Sequence, residues 1–263
     1  MYNFAYQKPA TLAEAATALG TDEAKALAGG MTLIPVLKQR LNKPSTVVDL
    51  SKLGLTGISV AGNTVTIGAM ATHAAVAASA DVRAKIPALA DLAGWIGDIQ
   101  VRHRGTIGGS LANNDPAACY PAAVLALGAT IKTNKRSIAA DDFFQGMFTT
   151  ALAADEIITA VEFPVPEKAA YEKFRNPASR YAIVGAFVAK TGSGVRVAIT
   201  GAGQGGVFRH TAAEQTLSAN FSPDALANVS HGADGLNADI HASAEYRAHL
   251  IGITTKRAVA KAR

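Results

Sequence analysis

Between Lys25 and Lys38 a short apolar run, Lys25-Ala26-Leu27-Ala28, stops at Gly29-Gly30 and gives way to a helical pattern, Leu33-Ile34-Pro35-Val36-Leu37. A strand that turns on two glycines into a helix leaves the first N–H groups of that helix without intrahelical partners. Such groups suit an anion such as a pyrophosphate. A second glycine pair, Gly108-Gly109, lies within Thr106-Ile107-Gly108-Gly109-Ser110-Leu111-Ala112-Asn113. Polar Thr106, Ser110, Asn113, Asn114 and Asp115 crowd around it in a region otherwise rich in alanine. Glycine lets a ligand approach the backbone, and hydroxyl and amide groups can bond its oxygens. Two such loops could hold one long ligand from two sides.

The surrounding chain reads as a support for these loops. Tyr2 to Gln7 alternates as a strand, Thr11-Leu12-Ala13-Glu14 is a capping box opening a helix over Leu12 to Leu19, and helix Leu33 to Leu41 follows the first glycine turn. Pro35 is tolerated because it falls in the first turn. Thr46 to Leu50 has almost no polar alternation, as expected of a strand covered on both faces. A hairpin then spans Gly57 to Ala69 around Ala61-Gly62-Asn63, and Thr72 caps an alanine-rich helix. Further helices are expected over Ile86 to Ile96 and Tyr120 to Gly128. Strands are expected over Thr130 to Thr133, at Ile138, and over Ile157 to Phe163. Pro164 and Pro166 mark a domain boundary. Beyond it come strands Tyr171 to Phe174, Ala182 to Lys190 and Val195 to Thr200, then helices Thr211 to Leu217, Pro223 to Asn228 and Ala244 to Ala260.

Several function classes drop out. With 49% hydrophobic and 17% charged residues the chain reads as globular, not disordered. No apolar run approaches the roughly 20 residues of a membrane span, and Met1 to Gln7 lacks signal-peptide features, so a cytoplasmic location is expected. The formal charge of +5 is scattered and never interleaved with aromatics, which argues against nucleic acid and for an anionic ligand or an acidic partner. Cys119 is the only cysteine, so this chain alone can ligate no iron–sulfur cluster and form no internal disulfide. Redox work here needs an organic cofactor. Cys119 itself, beside Ala117, Ala118 and Tyr120, reads as a small buried thiol. The histidines His73, His103, His210, His231, His241 and His249 show no metal-binding spacing, with His241 and His249 expected near a helix surface. No serine sits in a nucleophile elbow, and no catalytic residue is assigned. Gly201-Ala202-Gly203-Gln204-Gly205-Gly206 matches the spacing of a dinucleotide fingerprint, but Ala219 to Leu226 lacks the second strand and terminal acid that such a site requires.

With both loops placed, the chain resembles the FAD-binding medium subunit of molybdenum-containing hydroxylases, the carbon monoxide dehydrogenase and xanthine dehydrogenase family. Three regions carry the likeness: Ala28 to Pro35, Gln100 to Ala112, and Ser243-Ala244-Glu245-Tyr246-Arg247. The resemblance implies an α+β fold. FAD-binding subdomains over residues 1–54 and 55–165, of the vanillyl-alcohol-oxidase-like type, would precede a C-terminal α/β flavoprotein domain over 166–263. It implies FAD pyrophosphate contacts from Ala28, Gly29, Gly30, Met31, Thr32 and Leu33, and from Thr106, Ile107, Gly108, Gly109 and Ser110. Asn113, Asp115 and Ile158 would line the rest of the cofactor, and Lys173 and Tyr181 would face the flavin. His103, where relatives often carry Asn, and Ser179-Arg180, where many carry an acid, are departures. A cation near the ring would favour its anionic reduced form.

The resemblance further implies partners: a large molybdopterin subunit, and a small subunit with two [2Fe–2S] clusters, assembled as a dimer of heterotrimers. This chain would pass electrons from an iron–sulfur partner through FAD to an external acceptor. The alternatives are a stand-alone FAD oxidase or reductase of the same fold, and a binding module that has lost its cofactor.

Overall fold

Three sheets, each drawn from a different stretch of chain, meet around one cleft in the computed structural model, which describes residues 1–263. The first is a parallel sheet of Ala5–Gln7, Thr46–Asp49 and Lys25–Leu27, with Thr46–Asp49 in the middle. That central place explains its unbroken apolar character, since Val47 and Val48 are both buried. The capping box forms as expected: Thr11 Oγ1 accepts from Glu14 N at 3.2 Å, and Glu14 Oε2 accepts from Thr11 N at 3.2 Å. Helix Leu33–Lys38 stops short of Leu41, because Arg40 takes a left-handed conformation with φ 59°.

The second sheet is antiparallel, in the order Ile58–Ala61, Thr64–Gly68, Ile158–Pro164, Thr130–Thr133, Ser137–Ala139. The expected hairpin closes at Ala61 and Thr64 with Gly62 at φ 57°, the positive φ that a tight hairpin turn demands. Helices cover this sheet, but in more pieces than the periodicity predicts. The alanine-rich segment breaks at extended Ser79 into His73–Ala78 and Ala80–Lys85, while the separate helix expected from Ile86 runs over Pro87–Gly94. Helices Ile99–Arg104 and Ile107–Asn113 were not foreseen. The second glycine pair therefore lies in the first turn of a helix, not in a loop. Glycine's poor helix propensity hides that turn in the sequence, while the Thr106 cap starts it.

The third sheet runs antiparallel through Lys168–Arg175, Ala182–Thr191, Gly194–Thr200 and Phe208–Arg209. Ala182–Thr191 is buried on both faces. One face packs through Phe187 and Ala189 into the core of the second sheet, and the other packs through Ala186 and Val188 against Leu250 and Ile251 of helix Ala244–Lys261. This two-sided burial locks the sheet to the N-terminal part. The glycine run 201–206 leads to strand Phe208–Arg209 instead of a helix, so it lacks the anion-binding terminus of a dinucleotide fold. His249 is exposed on helix Ala244–Lys261, and His241 lies in the loop before it. No helix is long and apolar enough to cross a membrane.

Candidate functional site

The cleft between the sheets measures about 840 Å³, within the range of organic cofactor pockets. One wall is the turn between strand Lys25–Leu27 and helix Leu33–Lys38. The backbone N–H groups of Ala28, Gly29, Gly30, Met31, Thr32 and Leu33 donate to no acceptor in the protein, and the first paired amide is Ile34 N, which donates to Gly30 O at 3.0 Å. Gly30 at φ 75° turns the chain so that consecutive amides can share a concavity. Gly29 is required for another reason. A Cβ there would stand 1.9 Å from Arg104 O, so the backbone of this loop lies directly on Arg104-Gly105 of the second segment.

The second segment contributes differently from expectation. Its amides are already used: Ile107 N donates to Ala71 O at 3.1 Å, Gly108 N to Ala69 O at 2.8 Å, and Gly109 N to the Thr106 hydroxyl oxygen at 3.1 Å. Gly108 has no room for a side chain, because a Cβ would meet Ala69 at 2.7 Å. Ile107 is wholly buried and does not reach the cleft, whereas Thr106, Gly108, Gly109, Ser110, Asn113 and Asp115 line it. Ser110 Oγ and the Asn113 amide have no protein partner, unlike Asn114, whose Nδ2 donates to Gly146 O at 2.7 Å and Thr149 O at 2.9 Å. Those bonds hold the short hairpin that carries Phe148 to the cleft. Asp115 Oδ1 accepts from Ala117 N at 2.8 Å, fixing the carboxylate in its own turn.

The other end of the cleft collects Ile158, Lys173, Tyr181 and the Ala178-Ser179-Arg180 turn. Lys173 is buried and its ammonium donates to Trp95 O at 2.8 Å, Arg180 O at 3.1 Å and Cys119 Sγ at 3.5 Å. It thus ties the second sheet's helices to the turn that presents Tyr181. That turn is stiff: Asn176 Oδ1 accepts from Ala178 N and Ser179 N, and Arg180 sits at φ 63°. Tyr181 is 56% exposed, an aromatic face held open at the rim. Its phenol is pushed above the ordinary value by burial first, then by the charges of Asp115 and Cys119 nearby. Arg180 lines the cleft, so a cation stands at this end; His103 is exposed and outside it. Buried Arg247 braces the arrangement from behind, donating to Ile183 O at 2.7 Å, Gly201 O at 3.0 Å and Asp239 Oδ2 at 2.7 Å.

Residue patterns alone did not reveal several lining residues. Ile96, Gly97, Asp98 and Val101 come from the unforeseen helix Ile99–Arg104 and its entry, and Asp98 caps it by accepting from Val101 N at 2.8 Å. The one available signal was that capping aspartate. His73, Cys119, Phe148 and Glu156 reach the cleft only through tertiary packing. Arg136 and neighbouring donors hold the Glu156 carboxyl down at about 2, so it is a structural anion.

Comparison with known proteins agrees with this geometry. Residues 2–166 match the family described as the FAD binding domain in molybdopterin dehydrogenase. The chain is 39% identical to the nicotine 6-hydroxylase medium subunit of Paenarthrobacter nicotinovorans, covering 98% of this chain and 96% of that one. It is 35% identical to the carbon monoxide dehydrogenase medium chain of Afipia carboxidovorans, covering 99% and 97%. Among solved structures, a reconstituted CO dehydrogenase from Oligotropha carboxidovorans superposes with a TM-score of 0.90 at 32% identity over 99% of this chain and 97% of that one. Quinoline 2-oxidoreductase from Pseudomonas putida 86 gives 0.88 at 30% identity, covering 99% and 96%. Loop, cleft and likeness over the whole length converge: the chain belongs to the FAD-binding-domain family of the molybdopterin dehydrogenases, as an oxidoreductase component that holds FAD.

Proposed function

We propose that this chain is the electron-transfer subunit of a heteromeric molybdenum hydroxylase, taking electrons from an iron–sulfur partner and passing them through FAD to an external acceptor. The observation that carries the reading is the row of six unpartnered amides from Ala28 to Leu33, facing an 840 Å³ cleft. The row is only partly shielded, with Met31 and Thr32 exposed, but the opening N–H groups of a helix have no intrahelical acceptor, and a pyrophosphate supplies oxygens for such a row. The residues fit the cofactor in three places. The amides of Ala28 through Leu33 would hold the pyrophosphate. Thr106, Gly109, Ser110, Asn113 and Asp115 would face its sugar and ribityl oxygens, with Gly108 keeping the second segment close and Ile107 anchoring it from the core. Ile158, Lys173 and Tyr181 would border the isoalloxazine. FAD, when bound, supplies a ring that exchanges electrons singly or in pairs.

The chain's own task is positioning. Tyr181, at the rim of the cleft, would offer its aromatic face to the ring and help to keep water from it. The Lys173 ammonium fixes the turn that carries Tyr181, and the Arg180 guanidinium, which lines the same end of the cleft, would add positive charge near the ring. A division at 1–54, 55–165 and 166–263 places the cleft where all three parts contribute walls. A small subunit with two [2Fe–2S] clusters would complete the complex, as a dimer of heterotrimers. Co-purification from the native host tests this: large and small partners should accompany the flavin-bearing chain. A stable FAD-bound monomer that oxidises an organic substrate unaided would instead establish a self-sufficient oxidase.

A further inference from the structure

His73 is the one buried polar side chain at the cleft that the folded protein leaves without any hydrogen-bond partner. It is only 5% exposed, opens helix His73–Ala78 behind the Thr72 cap, and its main-chain N–H donates to Gly105 O at 3.0 Å. Its Nδ1 is sealed from solvent and unpaired. Its Nε2 makes no protein bond either, but it is not sealed off, and the residue lines the cleft. Gly105 shows how close the ring lies to the cofactor loops. A Cβ on Gly105 would stand 2.5 Å from His73 Nε2, and a Cβ on Gly29 would stand 2.9 Å from Gly105 Cα. Gly105 thus packs on both the imidazole and the amide row.

The tautomer follows from where a proton can be tolerated. A buried N–H with no acceptor loses its hydration without replacement, so the sealed Nδ1 favours the bare lone pair. That leaves the proton on Nε2, the ring nitrogen not sealed from solvent, in a residue that lines the cleft. Burial, and then the Arg102 charge, push the imidazole down to about 4, so it donates as a neutral group.

We propose that His73, through Nε2–H, is an additional ligand of the bound dinucleotide, donating to an oxygen of its phosphate or ribityl chain. The proposal rests on the FAD reading above. It is tested on the full chain by titrating FAD into apoprotein with His73 replaced by Phe, Asn or Gln, alongside ¹⁵N NMR of the imidazole in the unmutated chain. His73→Phe and His73→Asn should weaken FAD roughly ten-fold, the scale of one hydrogen bond to a charged acceptor. His73→Gln, whose amide N–H can occupy the Nε2 position, should recover most of the affinity. The NMR should show protonated Nε2 and bare Nδ1, with the Nε2–H resonance shifting when FAD is added. Equal affinity in all three variants, or an Nε2 signal indifferent to FAD, overturns the assignment of His73 while leaving the FAD reading intact. Failure of the unmutated chain to bind FAD refutes both. Adding ADP, which lacks the ribityl chain, separates the two oxygens: a His73→Phe defect that persists for ADP places the bond on phosphate, and one that vanishes places it on the ribityl chain.

Discussion

Gly29→Ala is the sharpest perturbation of the clamp, because it adds one methyl group where two backbone segments touch. The new carbon would lie 1.9 Å from Arg104 O and 2.6 Å from its carbonyl carbon, against ordinary contact from 3.4 Å outward. The two segments must part by about 1.5 Å, and no flexible side chain can yield instead. Gly29 is not among the positive-φ residues, so alanine adds no conformational strain of its own and the effect isolates packing. Overpacking of this kind costs about 1–3 kcal/mol, which at roughly 2–4 °C per kcal/mol lowers the melting temperature by several degrees. The amide row moves with the loop, and a misplacement on the order of 1 Å is large for a preorganised site, so FAD should bind at least ten-fold more weakly. Gly109→Ala is the control: its Cβ would meet Thr106 Oγ1 at 3.0 Å and Ala28 Cβ at 3.6 Å, a contact that a shift of tenths of an ångström relieves. Calorimetric melting and FAD fluorescence titration of both variants decide the matter. A Gly29→Ala protein that melts and binds FAD like the parent would show that the segments are not held in this contact.

Other consequences are simpler to state. Gly109→Val should reduce flavin content more than Gly109→Ala, because the branched side chain enters the cleft; equal retention measured by visible absorption would remove this position from the site. Tyr181→Ala should shift the flavin midpoint potential or the acceptor rate while leaving the circular dichroism spectrum unchanged, since the ring is 56% exposed and supports no core. Arg247→Met should destabilise the chain by about 1–3 kcal/mol in denaturant unfolding, as it leaves the buried carbonyls of Ile183 and Gly201 without their donor, while the exposed Asp239 carboxylate returns to water. Glu156 is held at about 2 in the folded protein against 4.5 ordinarily, so its contribution is full above pH 4.5 and fades as pH falls toward 2. Glu156→Gln should flatten the stability profile across that window, and an unchanged slope would contradict the Arg136 pairing.

Local signals carried some elements and not others. The Thr11–Glu14 capping box, the Gly62 hairpin and the apolar strand Thr46–Asp49 are written in adjacent residues, so their chemistry could be read directly. Helix Ile107–Asn113 could not, because two glycines in its first turn mask a start that only the Thr106 cap and the Ala69 and Ala71 carbonyls stabilise. The same holds for the site. The residues of the amide row are contiguous, and both glycine pairs stood out. That the second pair spends its amides inside the protein depends on Ala69 and Ala71, nearly forty residues away. The Lys173 bonds to Trp95 O and Arg180 O, and the approach of His73 to Gly105, are likewise products of packing.

The account stands most directly on equilibrium binding of FAD to the purified full-length chain, followed by flavin fluorescence and visible absorption, with ADP as competitor. It predicts a yellow protein that binds one FAD per chain and releases it to excess ADP, because the amide row from Ala28 to Leu33 grips the pyrophosphate that both ligands share. A preparation that stays colourless after incubation with FAD, or one whose FAD is indifferent to ADP, would contradict the clamp.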